Sequence, residues 1–250
     1  MKPNHRIMPS AIVTSEQSIR FDFGASPHRD IQQFCSFIER VQGPLLEEVV
    51  PSTNTVTVFY RKRLVNPRKL VDELHMKWLE KMDYEVVVQT RTIDVPVCYD
   101  ERFSEDMPRI MAHTGLTREE VIALHTGTNY TVYMIGFLPG FPYLGDLPTA
   151  LHVPRLAQPR LRVEKGTVGI GGTQTGIYSI ESPGGWNIIG RTPLDLYSLQ
   201  RKDPFLIHAG DQLSFRAISI DVYYEMKEEL ERDPTRIQQF VKEDIQCESI

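Results

Sequence analysis

The sequence predicts an α+β fold in its first part and a mostly-β fold, a barrel, in its second. Up to about residue 90, helical and strand patterns follow the order β–α–β–β–α–β, which is that of a ferredoxin-like split unit. Twelve of the 16 glycines lie between Gly127 and Gly190, which favours short strands joined by tight turns. We therefore expect a ferredoxin-like α+β domain over 1–90, a β-barrel domain over 91–222 and an acidic, helical tail over 223–250.

Local patterns predict the elements of the first domain. Ser18 to Phe23 alternates apolar and polar residues, as a half-buried strand does. Pro27 to Val41 has apolar residues three and four positions apart, which is typical of one helical face, and Gly43-Pro44 ends this helix. The other predicted elements are strands at 46–50 and 55–60, a helix that begins at Asn66-Pro67, and a last strand at 85–89.

Two short helices are predicted ahead of the barrel, Asp106 to His113 and Arg118 to Thr126. Thr117 and Glu120 have the spacing of a capping box at the start of the second helix. His125 lies at the end of that helix, where a histidine often only offsets the helix dipole. The alternative is a functional role for His125, as an acid–base group or as a donor to a substrate oxygen.

Composition argues against several classes of protein. With 28 basic and 33 acidic residues the net charge is −5, so neither a nucleic acid nor an anionic membrane is favoured as a partner. The three cysteines are far apart without a CxxC motif, and the histidines show no ligand spacing, so we predict neither a disulfide framework nor a metal site. No apolar run is long enough to span a membrane and MKPNHRIMPS lacks a signal-peptide core, so we expect a cytoplasmic protein.

The segment Tyr130 to Leu147 combines an aromatic strand with a loop interrupted by glycine and proline. These residues fix the shape of the backbone while they display aromatic rings, among them Phe137 and Tyr143. A rigid aromatic loop suits the wall of a binding pocket. A structural loop that closes one end of the barrel is the alternative.

The segment Gly166 to Tyr178 is rich in glycine. Glycine permits positive φ and close approach of a second backbone, which leaves amide N–H groups for an anion or carbonyl ligand. The segment matches neither a Walker A loop nor a dinucleotide-binding fingerprint, because the spacing and the following helix are absent. Either it is a turn-rich hairpin, or its tip binds ligand through Gly171, Gly172, Thr173 and Gln174.

The segment Ser182 to Pro193 places Trp186 after two glycines and Arg191 after a short strand. A tryptophan can stack on a flat ligand, and an arginine can bind a carboxylate through two parallel hydrogen bonds. The alternative for Trp186 is a position in the core. Residues 151–202 carry seven basic and three acidic side chains, a local net charge of +4, which suits a small anionic substrate or an acidic partner.

Several segments, in one order, resemble the family that includes the 5-oxoprolinase B subunit, the Kip-type inhibitors of sporulation histidine kinases and allophanate hydrolase subunit 1. The segments are YTVYMIGFLPGFPYLGDL from Tyr130, Pro154-Arg155 with Pro159-Arg160, GTVGIGGTQTGIY from Gly166, SPGGWNIIGRTP from Ser182, and GDQLSF from Gly210. The resemblance implies an N-terminal ferredoxin-like domain followed by a cyclophilin-like β-barrel. Val163-Glu164-Lys165-Gly166 departs from the Val-Pro-Ala-Gly that is usual in the family.

For activity, the resemblance implies one component of an ATP-dependent 5-oxoprolinase that converts 5-oxo-L-proline to L-glutamate and is inactive alone. The implied partners are the other 5-oxoprolinase subunits, a LamB/YcsF-type A subunit and a cyclophilin-like sister, the C subunit. ATP is a substrate of the complex, and it can be bound by another subunit. The alternatives are an inhibitor that binds a sporulation-type histidine kinase and a component like allophanate hydrolase subunit 1.

A site for 5-oxoproline must hold a carboxylate and an amide together. We expect Arg191 to bind the carboxylate and His125 to relay a proton. The expected partners of the amide are Gln174, Thr173 and the backbone of Gly171 and Gly172. Trp186, Phe137 and Tyr143 complete the expected substrate-binding set.

Overall fold

The computed structural model describes residues 7–25, 28–61, 66–80 and 85–249. The chain divides into two compact units, one up to Val86 and one from Val87 to Cys247. Each unit has a hydrophobic core of its own.

The first unit is a sheet with two helices. Its strands are β1 (Ser10–Ser15), β2 (Ser18–Asp22), β3 (Leu46–Pro51) and β4 (Thr55–Tyr60), and its helices are α1 (His28–Gln42) and α2 (Pro67–Leu79). The strands pair antiparallel in the order β1-β2-β4-β3. Their buried side chains, such as Phe21 and Val58, pack with Phe34 of α1 and Leu74 of α2. As predicted, Asn66 caps α2, since its side chain accepts hydrogen bonds from the backbone N–H groups of the first turn.

One edge of this sheet differs from the prediction. The expected last strand, 85–89, is the beginning of β5 (Glu85–Cys98), which belongs to the sheet of the barrel. The position beside β2 is occupied by β1, which the sequence pattern did not predict. Its sequence, SAIVTS, has a short apolar centre, and its residues are mostly exposed. A strand held mainly by backbone hydrogen bonds leaves a weak hydrophobic pattern.

The second unit contains the predicted barrel. Around the closed circuit of the described strands the order is β12-β9-β10-β7-β6-β13-β5, and the circuit closes where Arg191 of β12 pairs with Cys98 of β5. A separate small sheet is formed by β8 and β11. The strands after β5 are β6 (Asn129–Ile135), β7 (Pro142–Leu144), β8 (Arg160–Val163), β9 (Thr167–Gly171), β10 (Gln174–Ile177), β11 (Ser182–Gly184), β12 (Asn187–Arg191) and β13 (Gln212–Ile218).

The barrel core is apolar, and two short helices pack against it. α3 (Met107–Thr114) and α4 (Arg118–Thr126) lie where the sequence predicts them, and the capping box of Thr117 and Glu120 is present. These helices contribute Met107, Ile110 and Val121 to the core. No helix in the described ranges has the length and apolar character needed to cross a membrane.

The acidic tail is only partly helical. α5 (Ile220–Arg232) is followed by a 3-10 helix, Pro234–Phe240, and by a strand, β14 (Val241–Ser249), that pairs with β5. The helical prediction for 223–250 therefore fails after the 3-10 helix. There the backbone pairs with β5 instead of continuing as a helix. Within the 3-10 helix, Ile237 and Phe240 are buried in the barrel core, so this part of the tail is not a solvated appendage.

Candidate functional site

The outer face of strands β9 and β10 carries a strip of glycines. Val168, Ile170 and Ile177 point into the barrel core. Because side chains alternate along a strand, the residues next to these point outward. These outward positions are Gly169, Gly171 and Gly176.

Trp186 lies on this glycine strip. A Cβ atom placed at Gly171 would lie 2.6 Å from the indole Cδ2, and one at Gly176 would lie 3.0 Å from the indole Cζ3. The distance at Gly171 is too short for a real contact, so this position accepts only glycine while the indole keeps its place. At Gly176 the contact with the indole is tight, and an added Cβ would also lie only 2.7 Å from the carbonyl oxygen of Pro142. Gly171, which the sequence predicted to offer a free amide, instead makes room for this ring.

The tip of the β9–β10 hairpin is formed by Gly172 and Thr173. Gly172 has a φ of 68°, and its N–H donates to the carbonyl of Val153 at 2.9 Å. The amide of Gly172 is thus already paired and is not a free donor to a ligand. Thr173 is exposed, and Gln174 lies opposite Gly171 in the strand register. The Nε2 atom of Gln174 is buried and has no hydrogen-bond partner within the described part of the chain.

Aromatic rings surround the indole of Trp186. The ring of Phe141 lies 5.5 Å from it and the ring of Tyr143 lies 5.8 Å from it, centroid to centroid. Phe137 lies one ring further out, 6.0 Å from Phe141. It is 67% exposed and has a φ of 66°, which is uncommon for a residue with a side chain. The structure thus brings Tyr143 and Trp186 together and leaves Phe137 at the rim.

Arg155 covers the indole from the solvent side. Its guanidinium carbon lies 5.4 Å from the centroid of the Trp186 ring, within the range of a cation–π interaction. The segment that carries it is fixed at both ends, because Asn187 Nδ2 donates to the carbonyl of Pro154 and the N–H of Leu156 donates to the carbonyl of Gly185. Pro154-Arg155 is one of the motif pairs in the sequence, but spacing alone does not indicate which basic residue meets Trp186.

Burial and charge both act on Tyr143. Desolvation raises the pKa of its hydroxyl, and the positive charge of Arg155 opposes that rise. Tyr143 therefore stays protonated at neutral pH and can donate a hydrogen bond. We call Tyr143, Arg155, Gln174 and Trp186 the Trp186 site.

The structure does not bring Arg191 to the Trp186 site. Arg191 pairs with Thr167 in the register, whereas Trp186 covers Gly171, four residues further along β9. At about 3.3 Å per residue, the backbone positions beside Arg191 and beneath the indole lie about 13 Å apart along β9. The guanidinium of Arg191 instead pairs with Glu164 at 2.6 Å and lies over the ring of Phe103 at 4.7 Å.

His125 lies in the barrel core, away from the Trp186 site. It is 0% exposed and stacks on Phe215 with 4.4 Å between ring centroids. Thr175 donates its hydroxyl hydrogen to the carbonyl of Gly169, so we assign the His125 proton to Nε2, which donates to Thr175 Oγ1 at 3.0 Å. Nδ1 then accepts from the hydroxyl of Tyr99 at 2.7 Å.

This environment does not suit a catalytic acid or base. Burial lowers the pKa of His125 to about 3, so the ring is neutral across the physiological range. Both nitrogens already have protein partners. The predicted proton relay is therefore replaced by a structural role, and the chain position of His125 at a helix end could not reveal its burial.

The sequence matches a protein family along most of its length. The model of the carboxyltransferase domain, subdomain C and D, matches residues 10–207. The chain belongs to this family. Relatives include the 5-oxoprolinase B subunit of Escherichia coli O157:H7, 42% identical over 70% of this chain and 79% of that protein. The 5-oxoprolinase B subunit of Bacillus subtilis strain 168 is 37% identical over 78% of this chain and 85% of that protein.

Solved structures share the fold of this carboxyltransferase-family chain. TTHA0988 is 33% identical with a TM-score of 0.68, and the match covers 81% of this chain but only 40% of that longer chain. The Kluyveromyces lactis urea amidolyase is 19% identical with a TM-score of 0.74, over 99% of this chain and 17% of that chain. At that identity the second match shows the fold alone.

In this member of the carboxyltransferase family, the Trp186 site offers one cation, one phenol and one amide around an aromatic ring. Such a set can hold a small planar ligand that has both a negative charge and a carbonyl oxygen. The site binds and orients. Among its members and their contacts in the described ranges there is no pairing of a nucleophile with a base, so we assign it no covalent step.

Proposed function

We propose that the chain is the B subunit of a 5-oxoprolinase, an assembly that opens 5-oxo-L-proline to L-glutamate with ATP. The observation that carries this proposal is the pair of relatives named as 5-oxoprolinase B subunits, 42% and 37% identical over 79% and 85% of their lengths. Matches of that extent support the same role in the same kind of assembly.

The Trp186 site supports the proposal through its chemistry. The substrate is a flat five-membered lactam with one carbonyl oxygen and one carboxylate. The indole of Trp186 offers the ring an apolar surface. Gln174 Nε2 is a buried donor without a partner in the described residues, and it can donate a hydrogen bond to the lactam oxygen. Trp186 is only 5% exposed, so the substrate reaches it when the exposed side chain of Arg155 turns outward.

The reaction explains why binding must be coupled to ATP. A lactam is a resonance-stabilised amide that water attacks slowly. Transfer of the γ-phosphoryl group of ATP to the lactam oxygen releases ADP and makes the carbon electrophilic. Water adds there, the C–N bond breaks with its electron pair passing to nitrogen, and a second water releases phosphate and glutamate. In this scheme the present chain orients the lactam.

The proposed assembly contains two further proteins, a LamB/YcsF-type A subunit and a cyclophilin-like C subunit. The present chain supplies the lactam site, ATP is the co-substrate of the assembly, and the chain alone is inactive. This division of labour rests on the donor set of the Trp186 site, whose members bind a lactam and provide no nucleophile.

Reconstitution tests the proposal. The A and C subunits are mixed with 5-oxoproline and ATP, with and without this chain, and glutamate is measured by chromatography. We expect glutamate only when the chain is present. Equal glutamate with and without the chain contradicts the proposal. Inhibition of a histidine kinase by the chain, or ATP-independent turnover of allophanate, would support the alternative functions instead.

A further inference from the structure

Arg155 differs from the neighbouring arginines in its partners. Arg160 pairs with Glu105 and Asp106, Arg162 pairs with Glu181, and Arg191 pairs with Glu164. Among the described residues no carboxylate pairs with Arg155. Its guanidinium lies over the indole of Trp186, at 5.4 Å. Arg155 is therefore a cation that the fold holds over an aromatic ring and leaves free for an anion.

We propose that Arg155 binds the carboxylate of the lactam substrate. This inference rests on the proposed function and assigns to Arg155 the role that the sequence suggested for Arg191. The guanidinium turns from the indole to the carboxylate, with which it forms two parallel hydrogen bonds. The ring of the substrate then takes the place of the guanidinium over Trp186.

The placement of the other donors is consistent with this orientation. Gln174 lies beside Gly171 across the strand pair, and paired residues carry their side chains on the same face. Gln174 Nε2 is therefore on the face that Trp186 covers. With the carboxylate at Arg155, the lactam oxygen can accept from Gln174, and the hydroxyl of Tyr143 can donate to a second lone pair of one carboxylate oxygen.

Charge makes Arg155 a determinant of specificity. Its positive charge opposes the rise in the pKa of Tyr143, a donor of the site. A lactam that lacks the carboxylate, such as 2-pyrrolidinone, leaves the guanidinium unpaired. We therefore expect the assembly to select a lactam with a carboxylate over an uncharged lactam.

The test measures steady-state kinetics in the reconstituted assembly. We expect Arg155→Ala to raise KM for 5-oxoproline by about 10- to 100-fold, the usual loss of a hydrogen-bonded charge, with kcat changed by less than about threefold. Arg155→Lys keeps the charge but loses the two-point geometry, so its KM should lie between those of the wild type and of Arg155→Ala. Arg162→Ala, which removes an exposed arginine of the same basic segment, should leave KM unchanged.

The outcomes separate the inference from the proposed function. An unchanged KM in Arg155→Ala, in an assembly that needs the chain for activity, overturns the assignment of Arg155 and leaves the function standing. A raised KM in Arg191→Ala together with an unchanged KM in Arg155→Ala places the carboxylate at Arg191 and also overturns it. Glutamate formation that does not need the chain overturns the proposed function, and this inference with it.

Discussion

Inside the barrel, His125 is bonded at both nitrogens, to Tyr99 and to Thr175, and no solvent reaches it. On the outer face, Arg155 is exposed and Gln174 keeps a buried Nε2 with no partner in the described ranges. Both regions combine aromatic rings with polar groups. Inside the barrel, the ring nitrogens of His125 already have hydrogen-bond partners, whereas on the outer face Gln174 Nε2 has none in the described ranges.

That difference separates stability from binding. A buried polar group whose bonds are complete stabilises the fold, and its removal leaves its partners unpaired. A donor that lacks a partner contributes less to the fold and is available to a ligand. We therefore expect substitutions inside the barrel to lower the free energy of unfolding, and substitutions at Arg155 or Gln174 to weaken binding in a stable protein.

Of the substitutions considered, His125→Ala should destabilise the protein most. The change opens a cavity and leaves the Tyr99 hydroxyl and Thr175 Oγ1 without their ring partner, which should lower the free energy of unfolding by about 3–5 kcal/mol. Urea denaturation followed by circular dichroism measures it. His113→Ala, at an exposed position, is the control and should stay within about 0.5 kcal/mol of wild type. A loss below about 1 kcal/mol for His125→Ala would show that the complete hydrogen bonds of the interior do not stabilise the fold as expected.

The sequence predicted what is local. The caps at Asn66 and Thr117, the glycine-rich hairpin and the barrel depend on neighbouring residues, and the structure confirms them. The sequence did not predict that Arg155, rather than Arg191, meets Trp186, because that contact depends on segments that only the folded barrel brings together. The strand β14 was missed for a similar reason, since its partner β5 lies far away in the chain.

The next effect concerns the glycine strip. Gly171→Ala places a methyl group 2.6 Å from the indole of Trp186, so the ring must shift, at a cost of about 1–3 kcal/mol. We also expect the displaced indole to weaken substrate binding, because the ring would leave its position beside Arg155. For each variant the free energy of unfolding and the KM for 5-oxoproline are both measured. Gly136→Ala, where an added Cβ meets nothing within 4 Å, is the matched control, and equal effects in both variants would contradict the role of the strip.

The smallest effect is on pH dependence. The folded pKa of His125 is about 3, below the usual value near 6.5, so the unfolded chain takes up a proton that the folded chain does not. Stability from His125 is therefore present above pH 6.5 and is lost as the pH falls from there towards 3. Between pH 7 and pH 5.5 we expect a loss of about 1 kcal/mol. His125→Gln, measured by urea denaturation at both pH values, should lack this component, and an equal slope in both proteins would show that His125 does not supply it.

Binding of the lactam substrate at the outer face of Trp186 can be observed directly. The sequence contains two tryptophans, Trp78 and Trp186, so a chain labelled with 5-fluorotryptophan and assembled with unlabelled partners gives two fluorine signals, which Trp78→Phe assigns. Without ATP, we predict that 5-oxoproline shifts the Trp186 signal saturably, that Trp78 does not respond, and that 2-pyrrolidinone at the same concentration has little effect. An unmoved Trp186 signal in an assembly saturated with 5-oxoproline would contradict binding of the substrate at this face.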